Sequence, residues 1–197
     1  MRCTILACDP GSSNYGYSVL QCDLERQKIP VIKVLQFGCL HNTLRDLKSR
    51  PAKQLDVYLG SLNDLAVRYK VTHVIAERYM SRRMGGVTIE LVNIMLGALI
   101  TNFASVETKV LPASQWKNEL KRRGVDLESV YTAYKGVRIT PHAIDASMIG
   151  CYAAYILSGL KPYEGEFVPE RVIDAALIHK DIGIRPKTSG KKKRNRK

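Results

Sequence analysis

Asp9, Glu77 and the pair His142 and Asp145 are far apart in this sequence, yet each sits where an apolar segment meets a break. Asp9 follows the run ILAC and precedes the turn residues PGSSN. Glu77 follows HVIA, while His142 and Asp145 open the helical run PHAIDASMIGCYAAYIL. Residues three apart in a helix lie about 60° apart around its axis and about 4.5 Å along it, so His142 and Asp145 can face one point. Carboxylates gathered at strand ends beside such a pair repel one another and raise each other's pKa unless divalent cations lie between them. The expected cofactor of such a group is Mg²⁺ or Mn²⁺. Each residue also has an ordinary explanation: Asp-Pro-Gly is common turn chemistry, a histidine near a helix start can cap it, and an acid in a first turn complements the helix dipole. Only their joint occurrence, in this order, points to a site.

The elements that must bring these groups together can be read from periodicity. Residues 2–9 and 15–22 read as strands joined by PGSSN, and VIKVLQFGCL, 31–40, extends the hairpin to an antiparallel meander. Leu55, Leu59, Leu62 and Leu65 recur at three- or four-residue spacing and predict a helix over 47–69. HVIAE, 73–77, is short and β-branched, as suits a buried parallel strand after a crossover helix. After the loop RYMSRRMGG come an apolar helix over 87–103, a fifth strand at TKVLP, 108–112, and a polar helix, ASQWKNELKRR. The last helix is expected to take Thr140 as N-cap and Pro141 at its first position. The expected class is α/β: a five-stranded mixed sheet, three antiparallel strands then parallel ones, flanked by helices.

The chain has 197 residues, of which 31 are Lys or Arg and 18 Asp or Glu, for a net charge of +13. One domain over 1–184 suits that length, and the charge favours a polyanionic partner, with nucleic acid the default. Eight basic side chains fall in the last thirteen residues, RPKTSGKKKRNRK, leaving only +5 for the rest. That tail, 185–197, is expected to be disordered, either a solvated end or a non-specific hold on nucleic acid. Five cysteines without a CxxC pair argue against a zinc ribbon or a disulfide scaffold and for a reducing compartment. The start of the chain runs directly into a strand, and no apolar stretch is long enough to span a bilayer, so neither export nor membrane insertion is expected.

With these motifs in place, the sequence resembles the RuvC-type Holliday-junction resolvases of the RNase H-like nuclease superfamily. DPGSSNYGYSVL is the most specific match: a first strand ending in Asp-Pro-Gly with a Gly-Tyr pair following, here Gly16 and Tyr17. VIAERY is similar to the family's second acidic motif, and PHAIDASMIGCYAA to its C-terminal helix motif. The resemblance spans roughly residues 1–157, and the inferred element order agrees with it. One departure concerns His142, where most relatives carry Asp and some carry His. An imidazole replaces an anionic oxygen pair with one nitrogen, which shifts preference from Mg²⁺ toward Mn²⁺.

The resemblance implies a structure-selective endonuclease that resolves four-way DNA junctions by paired, metal-dependent phosphodiester hydrolysis. Asp9 would bridge two ions, Glu77 and Asp145 would complete their shells, and His142 would be either a ligand or a base. Arg78, Arg82 and Arg83 lie where a bent strand must pass and would hold phosphates, with Gly85 and Gly86 letting the loop adapt. Tyr79 would stack on an unpaired base or else belong to the core or an interface. Lys117, Lys121, Arg122 and Arg123 would meet the backbone of another arm. Two symmetric nicks imply a homodimer, for which the apolar helix over 87–103 is the candidate interface. The bacterial or phage-infected cytoplasm is the expected location.

Three alternatives stand beside this reading. Actin-like and sugar-kinase ATPases also open with a strand, an Asp and a Gly-rich turn, but they need a second such domain, which this length does not provide. A nuclease of the same fold could act on other branched DNA or on RNA. A junction-binding protein without cleavage is the third, with His142 as its only hint.

Overall fold

A computed structural model describes residues 1–11, 13–26, 28, 30–41, 49–78, 87–122, 126, 128, 131–132 and 139–159. Three strands come first: β1 (Arg2–Asp9), β2 (Asn14–Asp23) and β3 (Val31–His41). They are followed by α1 (Pro51–Tyr69), β4 (His73–Arg78), α2 (Val87–Asn102), β5 (Glu107–Pro112), α3 (Ala113–Arg122) and α4 (Pro141–Leu157). The strands form one sheet in the order β3-β2-β1-β4-β5. β1, β2 and β3 run antiparallel, whereas β4 is parallel to β1 and to β5, so the expected mixed sheet is present.

Side-chain alternation along β1 sorts the core into two halves. Cys3, Ile5 and Ala7 face α4 and α3, joined by Leu20, Ile75, Trp116, Met148 and Ile149. Leu6 and Cys8 face the opposite way, onto Tyr58, Leu62 and Leu65 of α1 and Leu91, Met95 and Leu99 of α2. The sheet is thus covered on both sides, which is why β4 reads as a continuous apolar run. The same alternation assigns Asp9 to the α4 side with Ala7, and Glu77 to that side with Ile75.

Most element ends lie within a residue of the sequence reading, and the start of α1 and the end of β4 are the differences that matter here. A single helix over 47–69 is not what forms: α1 starts at Pro51, and Arg50 takes a non-helical backbone (φ −145°, ψ 62°) ahead of it. The proline ring excludes helical geometry from the preceding residue and has no N–H to lose at a first helical position. β4 also runs one residue further, to Arg78, so Glu77 is its penultimate residue. The cap of α4 forms as expected, Thr140 Oγ1 accepting from the Ala143 N–H at 3.3 Å with Pro141 following. Among the described residues no helix is long and apolar enough to cross a membrane.

Candidate active site

Asp9 closes β1, and its partner in the antiparallel register is Gly16 on β2. The first turn of α4 lies directly on that glycine: a Cβ there would fall 2.0 Å from the His142 carbonyl oxygen. The absence of a side chain at Gly16 is what admits the helix, and it brings His142 within reach of β1. His142 Nδ1 stands 2.6 Å from Asp9 Oδ2, with Asp9 nearly buried and His142 39% exposed. Gly11 serves the same approach from the turn, its missing Cβ lying 3.2 Å from His142 Cε1 and 2.3 Å from the Asn14 carbonyl oxygen.

α3 reaches the same region from the other edge. Trp116 Nε1–H donates to Glu77 Oε2 at 2.7 Å, and the next residue, Lys117, places Nζ 3.2 Å from Asp145 Oδ2. The Lys117 ammonium also lies 4.8 Å from the centre of the Trp116 ring, a cation–π distance. Tyr131 donates its hydroxyl to Asp145 Oδ1. The structure therefore brings Asp9 and His142 together, and ties Glu77 and Asp145 to neighbouring residues of one helix.

Burial comes first in the electrostatics of Glu77 and Asp145, and the Asp9 bond in that of His142. Burial, then the charge of Asp9, pushes the Glu77 carboxyl up to about 7, opposed by the Trp116 bond and by Lys117. Burial raises Asp145 as well, with Asp9 adding to it, while the Tyr131 hydroxyl and Lys117 hold it down. His142 is raised above the ordinary imidazole value first by its bond to Asp9, with Asp145 and Glu77 contributing. Burial raises Tyr131, and its bond to Asp145 raises it further. As the side chains stand, no three His, Cys, Asp or Glu among the described residues group closely enough to hold one ion. Each candidate donor is instead engaged by an imidazole, an indole, a phenol or an ammonium.

Of the basic residues expected to meet DNA, Arg78, Lys121 and Arg122 are exposed at the end of β4 and the last turn of α3. Lys117 stands apart from them, half-buried against Asp145. Tyr79, Arg82, Arg83, Gly85, Gly86 and Arg123, and the tail over 185–197, lie outside the described residues. Trp116 and Tyr131 were not singled out from sequence. The signal for Trp116 was present: it is the chain's one tryptophan, and it lies four residues before Leu120 in an otherwise polar helix.

No protein-family model and no curated protein matches this sequence. Solved structures do match. Thermus thermophilus RuvC aligns with a TM-score of 0.62 at 19% identity, covering 81% of this chain and 97% of that one. T. thermophilus RuvC in complex with Holliday junction substrate aligns with a TM-score of 0.61 at 18% identity, over the same shares of the two chains. The resemblance seen in the motifs is thus borne out in the fold: the chain has the mixed five-stranded, RNase H-like architecture of RuvC.

Proposed function

We propose that this chain is a metal-dependent nuclease that cuts branched DNA, resolving four-way junctions as a homodimer. One observation carries the reading. Asp9, Glu77, Asp145 and His142 come from β1, β4 and α4 of a RuvC fold, His142 bonded to Asp9, and Glu77 and Asp145 bonded to the adjacent α3 residues Trp116 and Lys117. The fold match includes T. thermophilus RuvC in complex with Holliday junction substrate, and the net charge of +13 suits a phosphate backbone.

Carboxylate oxygens are hard donors of the type Mg²⁺ and Mn²⁺ select, and the burial and Asp9 charge that raise Glu77 and Asp145 are a penalty such ions would relieve. Asp9, Glu77 and Asp145 would hold the ions, with His142 as further ligand or as base. Divalent ions bound there would lower the pKa of an attacking water and neutralise charge on the leaving 3′ oxygen. The protein's own part is positional. His142 holds Asp9 through Nδ1, which leaves Nε2 as the ring nitrogen that can act outward. Lys117 brings positive charge beside Asp145 and would meet a phosphate oxygen there. Arg78, Lys121 and Arg122 supply sequence-independent phosphate contacts at the rim.

Two symmetric nicks need two sites related by a two-fold axis. Ile94 and Ile100 are 44% and 41% exposed on α2, although the opposite face of that helix is buried against the sheet. That exposed apolar face is the proposed dimer contact.

Cleavage of a synthetic four-way junction, compared with a linear duplex at equal salt in Mg²⁺ and in Mn²⁺, tests the function. Paired nicks across the junction that vanish in Asp9→Asn are expected. Binding without cleavage in either metal would overturn the nuclease reading.

A further inference from the structure

The indole of Trp116 has no exposed surface and is fixed among Ile75, Leu120, Ile144 and Met148. Ile75 lies two residues before Glu77 on the same side of β4, so the core that holds the ring also holds the strand carrying the acid. An indole has a single polar hydrogen and cannot accept, so its 2.7 Å bond to Oε2 fixes one oxygen of Glu77. Oε1 is then the oxygen left to turn toward Asp9 and Asp145.

From this geometry we infer that Trp116 is a positioning residue, which orients the Glu77 carboxylate as a cation ligand. The inference rests on the metal-dependent reading above. It adds a residue that touches neither substrate nor ion and acts through Glu77 alone. Outer-shell donors of this kind fix the rotamer of a ligand before the ion arrives, and their loss weakens binding although every ligand remains. A neutral donor is suited to the role, because a charged one would compete with the ion for the carboxylate.

The chain contains one tryptophan, which makes the test site-specific. Replacing tryptophan by β-(3-benzothienyl)alanine in the full-length protein substitutes sulfur for the indole N–H and keeps the shape of the ring. Free Mn²⁺ measured by electron paramagnetic resonance should show affinity about ten-fold weaker than in the native chain, with an unchanged unfolding midpoint. The Mn²⁺ midpoint for junction cleavage should move by the same factor. Trp116→Phe provides a second variant, expected to weaken Mn²⁺ binding in the same direction. In the native protein, Mn²⁺ should quench Trp116 fluorescence, and Glu77→Gln should remove that response. Unchanged Mn²⁺ affinity in the benzothienyl chain, with metal-dependent cleavage intact, would overturn this inference alone. A native protein that neither binds Mn²⁺ nor cleaves would overturn both it and the nuclease reading.

Discussion

Gly16 leaves no room for any side chain beneath His142: a Cβ at that point would lie 2.0 Å from the carbonyl oxygen of His142 and 3.0 Å from the amide nitrogen of Ala143. Both neighbours are backbone, so neither can turn aside. Gly16→Ala must lift the first turn of α4 from β2 and with it the imidazole from Asp9. Forced overpacking of this kind costs about 1–3 kcal/mol, and calorimetry should show a Tm lower by roughly 2–12 °C. Cleavage at a temperature where the variant is fully folded should fall at least ten-fold. Native cleavage would mean that α4 does not set the geometry of His142.

Stability without divalent ions should decline as pH rises. Glu77 is pushed up to about 7 from an ordinary value of 4.5, so between those values the folded chain keeps a proton that the unfolded chain has released. Its contribution is complete at acid pH and is lost across that window. Asp145 and His142 are also raised and act in the same direction, His142 losing its contribution as pH passes its folded value. Glu77 is partly solvated, so the decline it causes is about 1–2 kcal/mol once screening is allowed for. Thermal unfolding in chelator should give a lower Tm at pH 8 than at pH 5.5, with a shallower slope in Glu77→Gln. An identical slope in the two proteins would remove Glu77 as the cause.

Lys117→Met removes the ammonium 3.2 Å from Asp145 while keeping the length of the stem. Lys117 holds the Asp145 carboxyl down, so its loss raises that group further and makes an ionised site harder to reach in acid. The acid limb of the cleavage profile should shift upward, with a larger loss at pH 6 than at pH 8. A loss that is uniform in pH would assign Lys117 to phosphate contact alone.

Ile94→Glu places a charge on the exposed apolar face of α2 without disturbing the buried Met95 and Leu99. Sedimentation should show the proposed dimer converted to monomer. Junctions should then be nicked once, and the paired product should be lost. A dimer that survives the change would place the interface elsewhere.

The order of elements was legible because most segments carry one dominant pattern, and the apolar run of β1 was enough to set Asp9 at a strand end. The α1 boundary was legible in principle, since Pro51 restricts Arg50, but the leucine spacing extended the pattern past it. The buried face of that helix carries Tyr58 with Leu62 and Leu65, and the leucine spacing by itself did not mark the tyrosine as part of it. The four candidate ligands were found because carboxylates at strand ends stand out against apolar runs. Trp116 and Tyr131 were not, because a donor's role is fixed by what lies across a gap in space. Lys117 was grouped with Lys121 and Arg122 by proximity in sequence, yet it lies one turn nearer the start of α3, where it meets Asp145.

Asp9 and His142 meet across 133 positions of sequence. A chain emerging from the ribosome presents Asp9 early and Glu77 midway, but neither His142 nor Asp145 until α4 has been made. On the proposed reading, an unfinished or truncated product is harmless to the nucleic acids around it, and cutting begins only when synthesis has passed α4.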